Sequence, residues 1–579
     1  MMEREYIVTA KTKEDLESLY NDLETIGGCD CIPDREVECV HRRPISRNTH
    51  YYLTDEEAEL IKKDPRVLDV ALTPEERGAT ITPQYTLSTT TWNKSNTNND
   101  AHRSWAMYRC VNGATVANWG SDSTASQNAT VLFTSTGKNV DVVVVDGCFD
   151  PAHPEFAVNE AGTGGSRVNQ FNWFSLNPEV TGGAAGTYLY TNVGGNYING
   201  TAGQQSDNNH GCHVAGTVSG NRRGWAREAN IYNINPYGSA PSTITSSLLI
   251  DYIRAWHNSK AVNTTTGRKN PTITNHSYGI TYNVAISNID YVIYRGTQYN
   301  SPTAAQLTTF GLLNNGTTVL NIPYVSTAAN VDIQDAIADG IIFVAAAGNS
   351  SFKIDVAGGQ DYDNQIKEVG FAADYYHRGS SPGALDNVIC VGNIDATVVE
   401  QKATSSNCGP RIDVYAPGTN IISSVHSNEA GVSDSRTNTI AAEVIKYNGT
   451  SMASPNVAGV VACLAEQWPR MTQAEVRAYL GASSWGQTNL AKLNQVNDNN
   501  NTNRPLQGSP NRYLFYPMVR RVPNPSGTTW VGGQTTSQIS FPRNDNKFRP
   551  VLNTGNPDST LYNSSMVYPR HPIWNRSLT

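Results

Sequence analysis

His210, Gly211, Cys212 and His213 place two imidazoles and a thiol within four residues. Such a cluster can ligate a metal, arm a cysteine with its base, or lend one imidazole to groups elsewhere in the chain. If the segment is helical, Cys212 is turned about 200° from His210, a poor placement for nucleophile and base. His213 then reads as a structural histidine. Cys29, Cys31 and Cys39 with His41 are a second group of ligand types, but a CxC with no second pair reads as a loop with free thiols.

Three further stretches complete the reading in which His210 serves distant partners. Val142-Val-Val-Val-Asp146 is an apolar run ending in a carboxylate, which needs a hydrogen-bonding partner if buried. Asn448-Gly-Thr-Ser451-Met-Ala-Ser-Pro455 is a glycine turn that delivers a hydroxyl to a helix N-terminus. Unpaired N–H groups and the positive dipole end there favour a developing anion. Pro455 is placed at the edge of the first turn, where a missing donor costs least. Ala345-Ala-Ala-Gly348-Asn349 ends an apolar strand in an amide that can donate to an oxyanion. The chain order Asp, His, Ser is the one found in subtilisin.

These motifs resemble the subtilisin-like serine proteases over about residues 105–470. VVVVDGCFDPAHPEF is similar to the family's strand, Asp and His-Pro-acid-apolar sequel. DNNHGCHVAGT and NGTSMASPNVAG are similar to its His and Ser motifs, Asn275-His-Ser-Tyr-Gly279 to its substrate-binding edge strand, and AAAGN to its oxyanion segment. The resemblance implies a serine endopeptidase working through an acyl-enzyme. In it Ser451 is the nucleophile, His210 the general base, Asp146 the residue orienting it, and Asn349 an oxyanion donor. It further implies that Ser277, Tyr278 and Gly279, with Ala347 and Gly348, bind extended polypeptide substrates. Residues 1–78 look like the family's inhibitory propeptide, with self-cleavage falling within 73–104. The short run after HGCHVAGTVSG lacks the longer calcium loop of classical subtilisins and is similar to the proteinase K branch. No cofactor is required; a structural calcium stays open, with no site legible. Gly147, Cys148, Cys212 and Asn456 stand where the family has other residues.

The elements that must position these groups are legible as apolar runs. Val140–Val145, Ile231–Ile234, Thr272–Asn275, Ile341–Ala347 and Val388–Val391 alternate with helical segments, the mark of an α/β fold with a parallel sheet and helices on both faces. Ahead of it, a strand over Tyr6–Ala10, helices over Thr12–Leu23 and from the Thr54-Asp-Glu-Glu57 capping box to Lys63, and a strand over Asp64–Leu72 predict a small α+β unit. Residues 79–104 read as a linker with little to bury, 161–205 and 280–326 as surface insertions, and 471–579 as an Asn- and Pro-containing extension.

The formal net charge of −8 is unevenly spread over the 579 residues. Residues 1–78 hold 19 acidic against 11 basic side chains, while the rest holds 32 of each. No basic patch suggests nucleic acid, and no apolar window has the length of a membrane span. Nine cysteines, an odd number, do not form a disulfide framework. The acidic start, Met1-Met2-Glu3-Arg4-Glu5, lacks the order of a secretory signal, which predicts an intracellular location at synthesis. Two other readings stay open at this level. The protease fold can serve as a structural or assembly module, its charge-poor tail suiting a viral particle. The HGCH cluster can be a metal or thiol site.

Overall fold

Four consecutive valines, Val142 to Val145, cannot alternate between a wet and a dry face, so their strand must be covered on both sides. The computed structural model describes residues 3–28, 32, 35–83, 86–87, 105–112, 135–147, 150–188, 208–237, 244–396, 400–426, 432–434, 436, 442–481 and 505–516. In it all four valines are fully buried in the Asp141–Val145 strand. That strand lies inside a seven-stranded sheet ordered Val414–Pro417, Ile389–Ile394, Ile342–Ala346, Thr272–His276, Asp141–Val145, Asn230–Ile234, Val168–Asn169. Every pairing is parallel. The five inner strands are those the apolar runs predict.

Side-chain alternation along Thr272–His276 separates two helical layers. The Asn275 side chain accepts from Ser454 at 2.8 Å, which puts the Thr450–Gln467 helix, with Asn208–Ser219 packed on it, against one face. Three residues earlier the Thr272 hydroxyl meets His257 at 2.8 Å. The Leu249–Ser259 helix, with Thr327–Ala338 beside it, therefore covers the other face. Among the described residues no helix is long and apolar enough to cross a membrane.

Both stretches read as surface insertions contribute to cores. Within 161–205, Val168–Asn169 joins the sheet, and Trp173 is fully buried with its indole donating to the Asn233 carbonyl at 2.7 Å. Neighbouring glycines masked this short apolar patch. Residues 280–326 build a lobe in which Tyr278–Ala285 pairs with Thr318–Pro323, and Ile289–Tyr294 with Thr297–Asn300 and Gln365–Glu368. Tyr282, Val292, Leu307, Phe310, Ile322 and Tyr376 belong to its separate core. The main body also continues past residue 470. Gln473–Gly481 is a helix, and residues 505–516 return to the sheet, with the Leu514 amide on the Tyr415 carbonyl at 2.7 Å and the Tyr516 amide on the Cys110 carbonyl at 2.8 Å.

The N-terminal unit is an antiparallel sheet ordered Cys39–Arg42, Asn48–Leu53, Arg4–Ala10, Val67–Leu72, with helices Asp15–Leu23 and Asp55–Ile61. The capping box forms as predicted: Thr54 Oγ1 accepts the Glu57 amide at 3.3 Å and Glu57 accepts the Thr54 amide at 2.8 Å. The last strand starts at Val67 rather than Asp64, because the Asp64 carboxylate holds the Arg66 amide in a turn at 2.8 Å.

This unit docks on the Leu249–Ser259 and Thr327–Ala338 helices through a buried cluster. Arg43 donates to Asp251 at 2.8 Å and to Asp332 at 2.5 Å, and Asn48 and Ser46 also donate to Asp332. A second contact joins it to the lobe: Arg77 donates to Asp374 at 2.7 Å and Glu368 at 3.0 Å, its guanidinium over the Tyr282 ring. Where it is described, the stretch read as a linker is strand: Thr80–Pro83 pairs with residues 278–281, and Thr86–Leu87 with Tyr447–Asn448.

Candidate active site

Asp146 directly follows the Asp141–Val145 strand, and His210 lies in the first turn of the Asn208–Ser219 helix. Both are fully buried, and His210 Nδ1 lies 2.8 Å from Asp146 Oδ1. The same oxygen accepts the Gly147 amide at 2.8 Å. Burial pushes the Asp146 carboxyl above its ordinary range, against the pull of His210 and the Gly147 amide. With Nδ1–H donated to the carboxylate, a neutral imidazole carries its lone pair on Nε2. The helix reaches the strand end this closely because residue 211 is glycine: a Cβ there would overlap the Gly147 carbonyl oxygen.

The other two members of the HGCH cluster do not join this pair. His213 Nε2 meets the Ile421 carbonyl at 2.8 Å and its ring stacks on Tyr447, while burial pushes its pKa down to about 3. Cys212 is buried, and desolvation pushes its thiol well up, which makes it unreactive as a thiolate. Among the described residues no group of three His, Cys, Asp or Glu could hold a metal ion. Cys29, Cys31 and Cys148 lie outside the described residues.

Ser451 is the second residue of the Thr450–Gln467 helix, after Gly449 at φ 151°, a conformation that favours glycine. Its hydroxyl donates to the Ser277 carbonyl at 2.8 Å, and the Ser277 hydroxyl donates to the Ser451 carbonyl at 2.9 Å. Pro455 is the sixth residue of this helix rather than part of its first turn. It therefore lacks the amide that would have bonded the Ser451 carbonyl four residues back, and Ser277 takes that place. A buried relay fixes Ser277 in turn: Ser454 donates to Asn275 at 2.8 Å, and Asn275 donates to Ser277 Oγ at 2.8 Å. Sequence reasoning named Ser277 for its backbone and missed this hydroxyl. The proline four residues after Ser451 was the available signal.

Asn349 is set beside the same helix start. Its Oδ1 accepts the Thr450 amide at 3.0 Å and the Thr450 hydroxyl at 3.1 Å, so the donor end of the amide is turned away from Thr450. Tyr278 and Gly279 pair with Pro83 and Thr82 of the chain itself. Ala347 and Gly348 have backbone groups engaged within the fold, with Val391, Asn407 and Thr450 as partners. Asn456 is satisfied where it stands, accepting from Trp225 at 2.8 Å and donating to the Pro417 carbonyl at 3.0 Å.

A parallel α/β sheet with a carboxylate and imidazole paired at one strand end, and a serine hydroxyl at a helix start, holds the groups a serine hydrolase uses. The sequence profile of the subtilase family matches residues 137–513. The chain belongs to that family and is a subtilisin-like serine endopeptidase. It is similar to subtilisin DY of Bacillus licheniformis, 29% identical over 53% of this chain and 80% of the relative. It is also similar to an alkaline proteinase of Hapsidospora chrysogena, 29% identical over 55% of this chain and 54% of that protein. Among solved structures, fervidolysin from Fervidobacterium pennivorans aligns with a TM-score of 0.42 and 17% identity, covering 88% of this chain and 60% of that one. A cold-adapted subtilisin-like serine proteinase aligns with a TM-score of 0.37 and 19% identity, covering 67% and 92%.

Proposed function

We propose that this chain is made as a self-processed zymogen whose Ser451, His210 and Asp146 hydrolyse extended polypeptides. The supporting observation is the buried 2.8 Å contact of His210 with Asp146 in a fold that also brings Asn349 to the helix start at Ser451. Ser451 Oγ attacks a peptide carbonyl, His210 Nε2 takes its proton and passes it to the leaving amine, and Asp146 holds the imidazole and stabilises its charged form. The Ser451 hydroxyl must first turn from the Ser277 carbonyl towards His210. Asn349 Nδ2 and the Ser451 amide hold the oxyanion. Residues 277–279 pair with substrate backbone as an added strand, and this favours unfolded segments. The N-terminal unit acts as inhibitor, since its own continuation already occupies that strand position.

The reaction so described uses protein groups and water. The tight turn over residues 220–225, with the Gly224 amide on the Gly220 carbonyl at 2.9 Å, supports a chain of the proteinase K type. The test is fluorophosphonate labelling of wild type and Ser451→Ala after limited trypsin digestion of the N-terminal unit. Labelled wild type beside unlabelled variant is expected. Unlabelled wild type refutes the assignment.

A further inference from the structure

The strand that pairs with Thr80–Pro83 runs on into a pocket of the lobe. The ladder is antiparallel, with Pro83 opposite Tyr278 and Thr80 opposite Thr281. The next residue of the partner strand, Tyr282, lies under Arg77, three residues before Thr80. The guanidinium carbon is 3.8 Å from the centre of the Tyr282 ring and 4.4 Å from that of Phe371. Arg77 also donates to Asp374 at 2.7 and 3.0 Å and to Glu368 at 3.0 Å. Only 6% of its side chain is exposed.

The walls of this pocket all come from the main body. Tyr282 stands on Tyr278–Ala285, Glu368 on Gln365–Glu368 and Asp374 on the hairpin strand Ala373–Tyr375, with Phe371 in the turn between the last two. The Tyr282 hydroxyl donates to the Asp374 carboxylate at 2.8 Å, which braces that wall without help from Arg77. Among the described residues, Arg77 is the only cation in ion-pair contact with either carboxylate. Beside it lies a cavity of about 610 Å³, with Tyr6 and Asp55 on the side of the N-terminal unit and Lys367 and Tyr375 on the side of the lobe. The lobe thus grips one side chain across a gap, where two closely packed surfaces would leave no such space.

We propose that this pocket is an exosite for polypeptide substrates, in which the lobe takes an arginine or lysine side chain upstream of the segment paired with residues 278–281. The proposal rests on the peptidase function above, which makes residues 277–279 the substrate edge. Any chain that pairs there as Thr80–Pro83 does, and continues towards its own N-terminus, arrives at Tyr282, because Tyr278 to Tyr282 belong to one strand. Two carboxylates select a basic side chain, and two aromatic faces suit the planar guanidinium better than the lysine ammonium. Arg77 holds the pocket as a substrate side chain would.

Peptide binding to the Ser451→Ala chain, trimmed with trypsin as above and then freed of trypsin, tests this. The probes are a fluorescent copy of residues 74–83, Pro-Glu-Glu-Arg-Gly-Ala-Thr-Ile-Thr-Pro, and the same peptide with glutamine for arginine. The arginine peptide is expected to bind about tenfold tighter, the effect of one hydrogen bond between charged groups, and the difference should close in Glu368→Gln/Asp374→Asn. In wild type, mapping of the bonds cut in a mixture of unfolded proteins should show Arg and Lys enriched at one fixed distance before the cut. Equal affinities, or binding of neither peptide, overturn the exosite. So does an enzyme that takes the fluorophosphonate label and cuts without that enrichment; the pocket then only docks the N-terminal unit, and the peptidase function stands. A wild type that is neither labelled nor active sinks the peptidase function, and the exosite with it.

Discussion

Ser277 and Ser451 exchange hydrogen bonds, each hydroxyl donating to the other's carbonyl at 2.9 and 2.8 Å. The exchange exists because Pro455 leaves the Ser451 carbonyl without its helical donor. Ser277→Ala is expected to strand that buried carbonyl, at a cost of about 1–3 kcal/mol, and to loosen the nucleophile. Thermal unfolding and turnover should both fall. Adding Pro455→Ala restores an amide to the helix, so the double variant should recover stability over Ser277→Ala. A double variant no more stable than the single one counts against this account of the carbonyl.

On the mechanism proposed above Asn349 has two separable jobs, because Oδ1 serves Thr450 and the donor end faces away from it. Asn349→Asp keeps the acceptor and loses the donor. It should melt close to wild type while turnover drops by about 100–1,000-fold, a magnitude known from subtilisin, a member of this family. A proportionate loss of stability and activity would show that Asn349 is only a brace.

Arg43 is wholly buried between Asp251 and Asp332 where the N-terminal unit meets two helices of the body. Removing one member of such a cluster leaves buried charge uncompensated, a penalty of about 3–5 kcal/mol. In an uncut Ser451→Ala background, Arg43→Ala should abolish hydrogen-exchange protection that docking gives the Thr327–Ala338 helix. Unchanged protection would place the docking energy elsewhere, with the Arg77 contact to Asp374 and Glu368 the next to remove.

Imidazoles held neutral by desolvation oppose acid in this fold, among them His213, His276 and His257. Burial holds His213 and His276 at about 3 and His257 at about 4. Below the ordinary histidine value of about 6.5 the unfolded chain takes up protons that the folded chain refuses, so stability falls as pH falls towards the folded values. Each group removes about 1.4 kcal/mol per pH unit in that window. The melting temperature should drop steeply from pH 7 to pH 5, and less steeply in His213→Gln. Parallel slopes for the two proteins would contradict the neutral burial of His213.

The site was more legible in the sequence than the scaffold around it. Asp146, His210, Ser451 and Asn349 each lie at or near the end of an element whose apolar run or glycine turn is visible locally, so they and their order stand out as candidates in the sequence. The Ser277 hydroxyl was not, because its role depends on a carbonyl 174 residues away that becomes available only when Pro455 sits inside a helix. The Val168–Asn169 strand is too short to show a period, and its glycine-rich surroundings resemble loop. The lobe over 280–326 has a core of its own, which no spacing within 280–326 announces because it closes with Ile366 and Tyr376. Cys212 misled in the opposite direction: a reactive atom type in a motif is inert once desolvated.

The return of residues 505–516 ties the far end of the described chain to the helix at Trp105–Asn112. The Tyr516 amide sits on the Cys110 carbonyl, and the Arg109 guanidinium, paired with Glu400, lies over the Tyr513 ring at 4.0 Å. On the zymogen reading proposed above, everything discarded to open the cleft precedes this knot. Loss of the N-terminal unit would therefore untie no strand of the central sheet, and residues 505–516 would stay fastened to the Trp105–Asn112 helix.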